Sequence, residues 1–436
     1  MEEVDLLIRA EHVVPVAPRG VLEDHAVAVK DGRIVALLPA HEALSRFEAR
    51  DSVHLDKHVL IPGLVNIHCH AAMSLMRGIA DDVPLMTWLR NRIWPTEAKH
   101  VTDEMVHDGS LLAMAEMLRA GVTCVNDMYF FPEATARAAL KAGMRASLGV
   151  IALEFPSAYA PDAAGYITRG LNTRDAYHGE PLLTFTLAPH APYTVGDETL
   201  RRVVVLAEEL DCPIHMHVHE TASEVSEGFT QHGARPLSRM ASLGLVGPRL
   251  IAVHAVHLDD RELDMMAREG VSVAHCPSSN LKLASGIARV ADMRRRGINV
   301  AVGTDGAASN NRLDVMTEMR AAALLAKGAS GDAAVVPAAD ALEMATLAGA
   351  RAIGLEREIG SIGVGKQADL AAIDLSRVET QPCYDPVSHV VYAAGREHVT
   401  HVWVAGEARV ADRALRSLDA DDLCAKAAWW RGKMVS

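Results

Sequence analysis

His68-Cys69-His70 sets two imidazoles two residues apart. In an extended segment that spacing puts both rings on one face, where they can grip one cation or stand as two hydrogen-bonded polar side chains. A second group, His215-Met-His217-Val-His219-Glu220, carries three histidines of the same parity and then a carboxylate. His217 is favoured among the three because Glu220, three residues on, could reach a water on the ion that the ring holds. His254, His257 and His275, taken singly, fit structural histidines, and His190 follows Pro189. Asp305 stands in Gly303-Thr-Asp-Gly306, where a tight turn could aim its carboxylate inward or simply employ it as a turn former. Three imidazoles and a carboxylate would make a nitrogen/oxygen donor set suited to zinc or ferrous iron, and so to activating water for hydrolysis.

These residues sit just after short apolar runs. The runs are Gly63–His68, Val122–Asn126, Met144–Ala152, Leu182–Ala188, Pro213–His217, Leu250–His254, Val271–His275 and Ile298–Gly303. Helical patterns lie between several of them. One opens on Thr102 as N-cap and closes with Gly121 at C′; another carries the capping-box spacing Thr221-x-x-Glu224, which would account for Glu224. Eight strands alternating with helices predict a (β/α)8 barrel over residues 59–361, and in a barrel the strand ends that bear these groups share one rim. Residues 1–58 and 362–436 read as short strands and turns, with a hairpin at Lys30-Asp-Gly-Arg33, strands at Asp369–Ile373 and His398–Val404, and a helix at Ala420–Met434. Neither end can close a core alone. Together they are expected to form one small β-sandwich, with the barrel inserted between them.

Composition narrows the function further. Half of the 436 residues are hydrophobic and 23% are charged, enough for a large core. With 43 Lys+Arg against 56 Asp+Glu, the formal charge of -13 argues against a nucleic-acid partner. No apolar run reaches the ~18–20 residues of a membrane span, and the acidic start Met1-Glu-Glu-Val-Asp lacks a signal peptide's basic region. Six cysteines without a CxxC pair fit reduced thiols, so a cytoplasmic location is expected. The unusual count is 21 His.

Several motifs also carry a resemblance. Ile61-Pro-Gly-Leu-Val-Asn-Ile-His-Cys-His70, His217-x-x-Glu220, Val253-His254-Ala-Val-His-Leu258, Gly303-Thr-Asp305-Gly-Ala-Ala-Ser-Asn-Asn311 and Gly360–Asp369 resemble the amidohydrolase superfamily. Ala71–Gly78, Trp94–Glu97, Asn126–Tyr129, Pro189–Tyr193 and Ser279–Leu283 are similar to the methylthioadenosine/S-adenosylhomocysteine deaminases and their chlorotriazine hydrolase relatives. Two-metal members carry a lysine at the fourth barrel strand. Here that strand reads Leu182-Leu-Thr-Phe-Thr-Leu-Ala188, so the resemblance implies one divalent metal, zinc ahead of iron.

The resemblance implies that His68, His70, His217 and Asp305 hold the ion, that His254 and Asp305 orient and deprotonate a water, and that Glu220 shuttles protons. It also implies that His190 meets the purine's imidazole edge and Glu97 the ribose hydroxyls, with Trp88 in the same long segment, Ala71–Val101. The expected reaction is deamination of an adenine nucleoside by a homo-oligomeric enzyme. Val150, placed at the end of the third strand where some relatives have an arginine, favours 5′-methylthioadenosine over S-adenosylhomocysteine or adenosine. The alternatives are a deaminase or chlorohydrolase of a guanine-type base or s-triazine, and, more remotely, a non-catalytic barrel scaffold.

Overall fold

The computed structural model describes residues 1–435. Two eight-stranded sheets organise them. The first is mixed and built from both ends of the chain: β1 (Glu2–Val13), β2 (Leu22–Lys30), β3 (Arg33–Pro39) and β4 (Phe47–Pro62) join strands near the C-terminus. The second is parallel and contains β5 (Leu64–Cys69), β6 (Val122–Asp127), β7 (Arg145–Ala152), β8 (Leu183–Pro189), β9 (Ile214–Val218), β10 (Leu250–His254), β11 (Ser272–His275) and β12 (Asn299–Val302). The chain then returns to the first sheet as β13 (Leu370–Asp374), β14 (Val399–Val404), β15 (Glu407–Ala411) and β16 (Ala414–Leu415), in the order β16-β15-β14-β13-β4-β1-β2-β3.

The parallel sheet is a nearly closed barrel. Its first and last strands meet where the Asp305 amide donates to the His68 carbonyl at 3.0 Å. Gly303 permits that approach, since a Cβ there would lie 2.8 Å from the His68 nitrogen. Each of the eight apolar runs has become a strand whose backbone groups pair with its neighbours in the parallel sheet. Thr102 caps the helix Asp103–Arg119 by accepting from the Met105 amide at 3.2 Å, and Gly121, with φ of 85°, lies just beyond its end.

Strand parity attaches the terminal sheet to the barrel. Leu60, Leu370, Ala372 and Trp403 pack with Leu6 and Ile8 on one face of the sheet. Their neighbours Val59, Ile61, Ala371 and Ile373 join the main core that includes Leu64 and Met114. A buried ion pair ties the two units: the Arg145 guanidinium, at the start of β7, gives both Asp369 oxygens hydrogen bonds of 3.0 and 3.1 Å. Asp31 and Gly32, with φ of 51° and 75°, make the tight β2–β3 turn that an Asp-Gly pair favours. The C-terminal helix, Ala420–Val435, packs on Asp103–Arg119 of the barrel rather than on the terminal sheet, with the Trp430 indole N–H 3.1 Å from the Asp108 carboxylate.

Candidate active site

Strand ends carry the polar groups to one rim. His68 and His70 leave β5, His190 follows β8, His217 and Glu220 end β9, His254 ends β10, and Asp305 follows β12. Two triads have ligand atoms within 4.8 Å of one another: His68, His217 and His254, and His68, His70 and Asp305. Asp305 Oδ1 lies 3.2 Å from His68 Nε2 and 3.4 Å from His70 Nε2. His254 and Asp305 adopt left-handed backbone conformations, with φ of 68° and 62°. Such conformations cost non-glycine residues about 1–3 kcal/mol and concentrate at functional sites.

Hydrogen bonds at the outer nitrogens set which way each ring presents its lone pair. His70 Nδ1 lies 2.5 Å from the Met128 carbonyl and His217 Nδ1 2.8 Å from the His190 carbonyl. A carbonyl can only accept, so both rings carry their proton on Nδ1 and leave Nε2 a free donor to a cation. His254 Nδ1 likewise meets the Asn280 side-chain oxygen at 2.8 Å. His68 Nδ1 pairs with His215 Nε2 at 2.9 Å, while His68 Nε2 is buried without a hydrogen-bond partner. An orphaned, fully buried imidazole nitrogen beside a carboxylate is costly unless something positive sits between them. The donor set therefore fits a divalent ion.

Electrostatics agree. Burial lowers His68 to about 4, with the Asp305 carboxylate opposing the shift, and holds His217 well below its ordinary value. Neutral imidazoles are the form that binds metal. Burial works to raise the Asp305 carboxyl, but His68, His70 and His254 together hold it well below the usual carboxylate range. The Ser279 and Ser309 hydroxyls (2.6 and 2.7 Å) and the Gly306 amide (2.7 Å) all donate to that carboxylate. Glu220 behaves in the opposite way: burial raises it, the nearby His254 only partly compensating, and its Oε2 lies 3.8 Å from His254 Nε2.

Glu220 is held by a neighbour that the sequence reading set aside. Glu224 does not complete a capping box on Thr221. Its carboxylate instead accepts from the His219 and Glu220 amides, each at 2.8 Å, and so fixes the turn that carries Glu220. Ser285 donates to Glu220 Oε1 at 3.2 Å. The Glu224 contacts reach back along its own segment, whereas Ser285 comes from a distant one.

A cavity opens above the cluster. His70, His190, His217, Glu220, His254 and Asp305 line it from the barrel; Trp88 and Glu97 line it from the segment 71–101. His68 lies deeper and does not reach the lining. Burial raises Glu97 to about 7, although the Tyr129 hydroxyl donates to it at 2.7 Å. His190, lowered to about 3 by burial, has Nδ1 3.0 Å from the Thr194 hydroxyl. Val150 does not line the cavity. It packs against Gly170 of the helix Ala163–Ala176, and its neighbours Ile151 and Leu153 take the wall instead. A one-residue error of parity moves a strand side chain to the other face.

A model of the amidohydrolase family matches residues 59–409, four-fifths of the chain. The chain belongs to the amidohydrolase family. Family members are metal-dependent hydrolases, in keeping with the donor set above. Proteins of Saccharophagus degradans and Teredinibacter turnerae, both named 5-methylthioadenosine/S-adenosylhomocysteine deaminase, are each 46% identical to this amidohydrolase. They match 99% of this chain and 97% and 98% of their own lengths. The crystal structure of an adenosine deaminase from Xanthomonas campestris with bound zinc is 50% identical, with a TM-score of 0.98 over 100% of this chain and 99% of that one. An atrazine chlorohydrolase from Arthrobacter aurescens, complexed with zinc, shares the fold at 22% identity and a TM-score of 0.90, covering 98% of this chain and 100% of its own. Among the described residues no helix is long and apolar enough to cross a membrane.

Proposed function

We propose that this amidohydrolase is a hydrolytic deaminase that converts 5′-methylthioadenosine, water being the co-substrate, to the inosine product and ammonia. S-adenosylhomocysteine and adenosine are the secondary substrates. The observation that carries this reading is that one cavity joins the histidine–carboxylate cluster to a second carboxylate, Glu97, suited to a ribose diol. Residues 59–361 act as the catalytic barrel, and 1–58 with 362–436 as a composite structural unit. All six cysteines are free thiols, which supports a reducing, cytoplasmic setting; assembly as a homo-oligomer belongs to the same reading.

His68, His70, His217 and Asp305 would hold one divalent ion, zinc ahead of iron. When bound, such an ion lowers the pKa of water from 15.7 toward about 7 and so supplies the nucleophile. His254, its Nδ1 proton committed to Asn280, offers Nε2 as the acceptor for the proton that the attacking water sheds, with Asp305 orienting that water. Attack at C6 of adenine moves electrons onto N1. Glu220, kept toward its protonated form by burial, gives N1 that proton, then takes the proton of the new C6 hydroxyl and hands it to the amine as ammonia departs, a role typically contributing about 10²–10⁴-fold; the proton held by His254 Nε2, 3.8 Å from Glu220 Oε2, restores the carboxyl. His190 binds the imidazole edge of the purine. Its Nδ1 is engaged by the Thr194 hydroxyl at 3.0 Å, which leaves Nε2 for the base. Glu97 accepts both ribose hydroxyls, and Trp88 supplies an apolar wall.

The test is ammonia release by metal-loaded protein from 5′-methylthioadenosine, guanine and an s-triazine, side by side. Release from the nucleoside at rates at least about a hundredfold above the other two is expected. Release only from a free base or a triazine would replace this reading with the rival one.

A further inference from the structure

Two loops carry the hydroxyls that hold the Asp305 carboxylate. One, after β11, runs into the short helix Pro277–Lys282; the other, after β12, runs into Ala307–Asn310. Ser279 from the first and Ser309 from the second both donate to Asp305 Oδ2, at 2.6 and 2.7 Å. Oδ1 accepts from the Gly306 amide at 2.7 Å and is the oxygen turned toward His68 Nε2 and His70 Nε2. The first loop also brings the Asn280 side-chain oxygen to His254 Nδ1 at 2.8 Å.

Behind both loops lies a carboxylate that the mechanism does not use. Glu318, in the first turn of the helix Val315–Ser330, is 1% exposed. Its Oε2 accepts from the Ser278 amide at 3.0 Å and its Oε1 from the Asn310 side-chain amide at 2.9 Å. Asn310 Nδ2 also donates to the Thr304 carbonyl at 2.7 Å, next to Asp305. Burial raises Glu318 to about 7, with the Ser278 and Asn310 donors opposing the shift and the Asp314 carboxylate adding to it. A buried carboxyl held by neutral donors costs folding free energy that an apolar side chain of similar size would not. What it supplies is two acceptor oxygens, one for each loop. Each contact lies one residue from a serine on Asp305 Oδ2.

We propose that Glu318 is a positioning residue for the ion site: by tying Ser278 to Asn310 it holds Ser279 and Ser309 on Asp305 Oδ2 and keeps Oδ1 presented to the cation. This rests on Asp305 being a ligand, as read above. Glu318 does not line the cavity, so substrate binding is spared.

The experiment measures the zinc affinity of metal-free protein by chelator competition. It compares the native enzyme with Glu318→Gln, with Ser279→Ala/Ser309→Ala, with the triple variant and with Asp305→Asn. Glutamine keeps the shape but sets an N–H against one of the two donors. Glu318→Gln should weaken zinc about 10–100-fold and lower kcat at saturating zinc, with KM for 5′-methylthioadenosine within about twofold of native. Because the effect passes through the two serines, adding Glu318→Gln to their alanine variant should weaken zinc by no more than about threefold further. Asn310→Ala cuts the same link from the loop side and should weaken zinc about tenfold, which keeps the test open if Glu318→Gln folds poorly. The zinc readout needs no substrate, so it stands apart from the nucleoside reading. Affinity within about threefold of native in Glu318→Gln and Asn310→Ala, or a full further loss in the serine background, overturns the proposal alone when Asp305→Asn loses zinc. Unaltered affinity in Asp305→Asn overturns the ligand reading and the proposal with it.

Discussion

Replacing Glu220 with glutamine should move activity and stability in opposite directions. Glutamine keeps the shape and an oxygen for the Ser285 hydroxyl, 3.2 Å away in the native protein, but carries no transferable proton. The lost shuttle is worth about 10²–10⁴ in kcat, or ~2.7–5.5 kcal/mol in the barrier at ~1.36 kcal/mol per factor of ten. Metal content should not change, because Glu220 belongs to neither ligand triad. Stability follows from the raised carboxyl. Burial makes the folded protein hold this proton more tightly than the unfolded chain does, so ionisation destabilises the native enzyme as pH rises past the ordinary carboxyl range. Glutamine cannot ionise and escapes that loss. The assay is kcat with metal analysis, plus thermal melts of both proteins at pH 5 and pH 8. Glu220→Gln should melt at or above the native midpoint, by a larger margin at pH 8. Turnover within about fivefold of native at full metal occupancy would remove Glu220 from proton transfer, and a variant less stable at pH 8 than at pH 5, relative to native, would refute the electrostatic reasoning.

Glu97→Ala should raise KM for 5′-methylthioadenosine by about a hundredfold with a smaller effect on kcat, since it removes charge-assisted bonds to two hydroxyls worth ~1.5–3 kcal/mol each before partial compensation by water. Because burial raises Glu97 to about 7, its acceptor form is lost as pH falls through that value; KM should climb below pH 7 in native enzyme and stay flat in Glu97→Gln. His215→Phe removes the partner of His68 Nδ1, 2.9 Å away, and should weaken zinc about 10–100-fold in a chelator competition; unaltered affinity would show that the pairing does not orient the ligand. Arg145→Ala strands Asp369 between the barrel and the terminal sheet and should cost about 3–5 kcal/mol in denaturant unfolding.

The barrel was legible because its signals are local. Short apolar runs alternate with helices punctuated by Thr102, Gly121 and Thr221, and each run became a strand. The histidines and Asp305 were legible as candidates because they all follow such runs, and strand ends in a barrel must converge. What was not legible depends on contacts that are decided only in the folded chain. Glu224 satisfies a capping spacing, yet its carboxylate serves the amides of His219 and Glu220, a choice fixed only once β9 is seated. His215 shares parity with His217, and only the 2.9 Å contact with His68 gives it a separate place behind the ligands. Val150 and Ile151 both lie in an eight-residue strand that is buried throughout, so no alternation of polarity marks which one faces the cavity. The helix at Ala420–Val435 follows the strands of the terminal sheet, but Leu423 and Trp430 bury themselves on the barrel.

The central claim is that a single ion held by His68, His70, His217 and Asp305 drives deamination of an adenine nucleoside. It is tested most directly by titrating metal-free protein with zinc and following the ultraviolet change from adenine to hypoxanthine with 5′-methylthioadenosine. The rate should rise linearly with zinc and break at one equivalent per chain. A break at two equivalents, or full zinc occupancy with no spectral change, would contradict it.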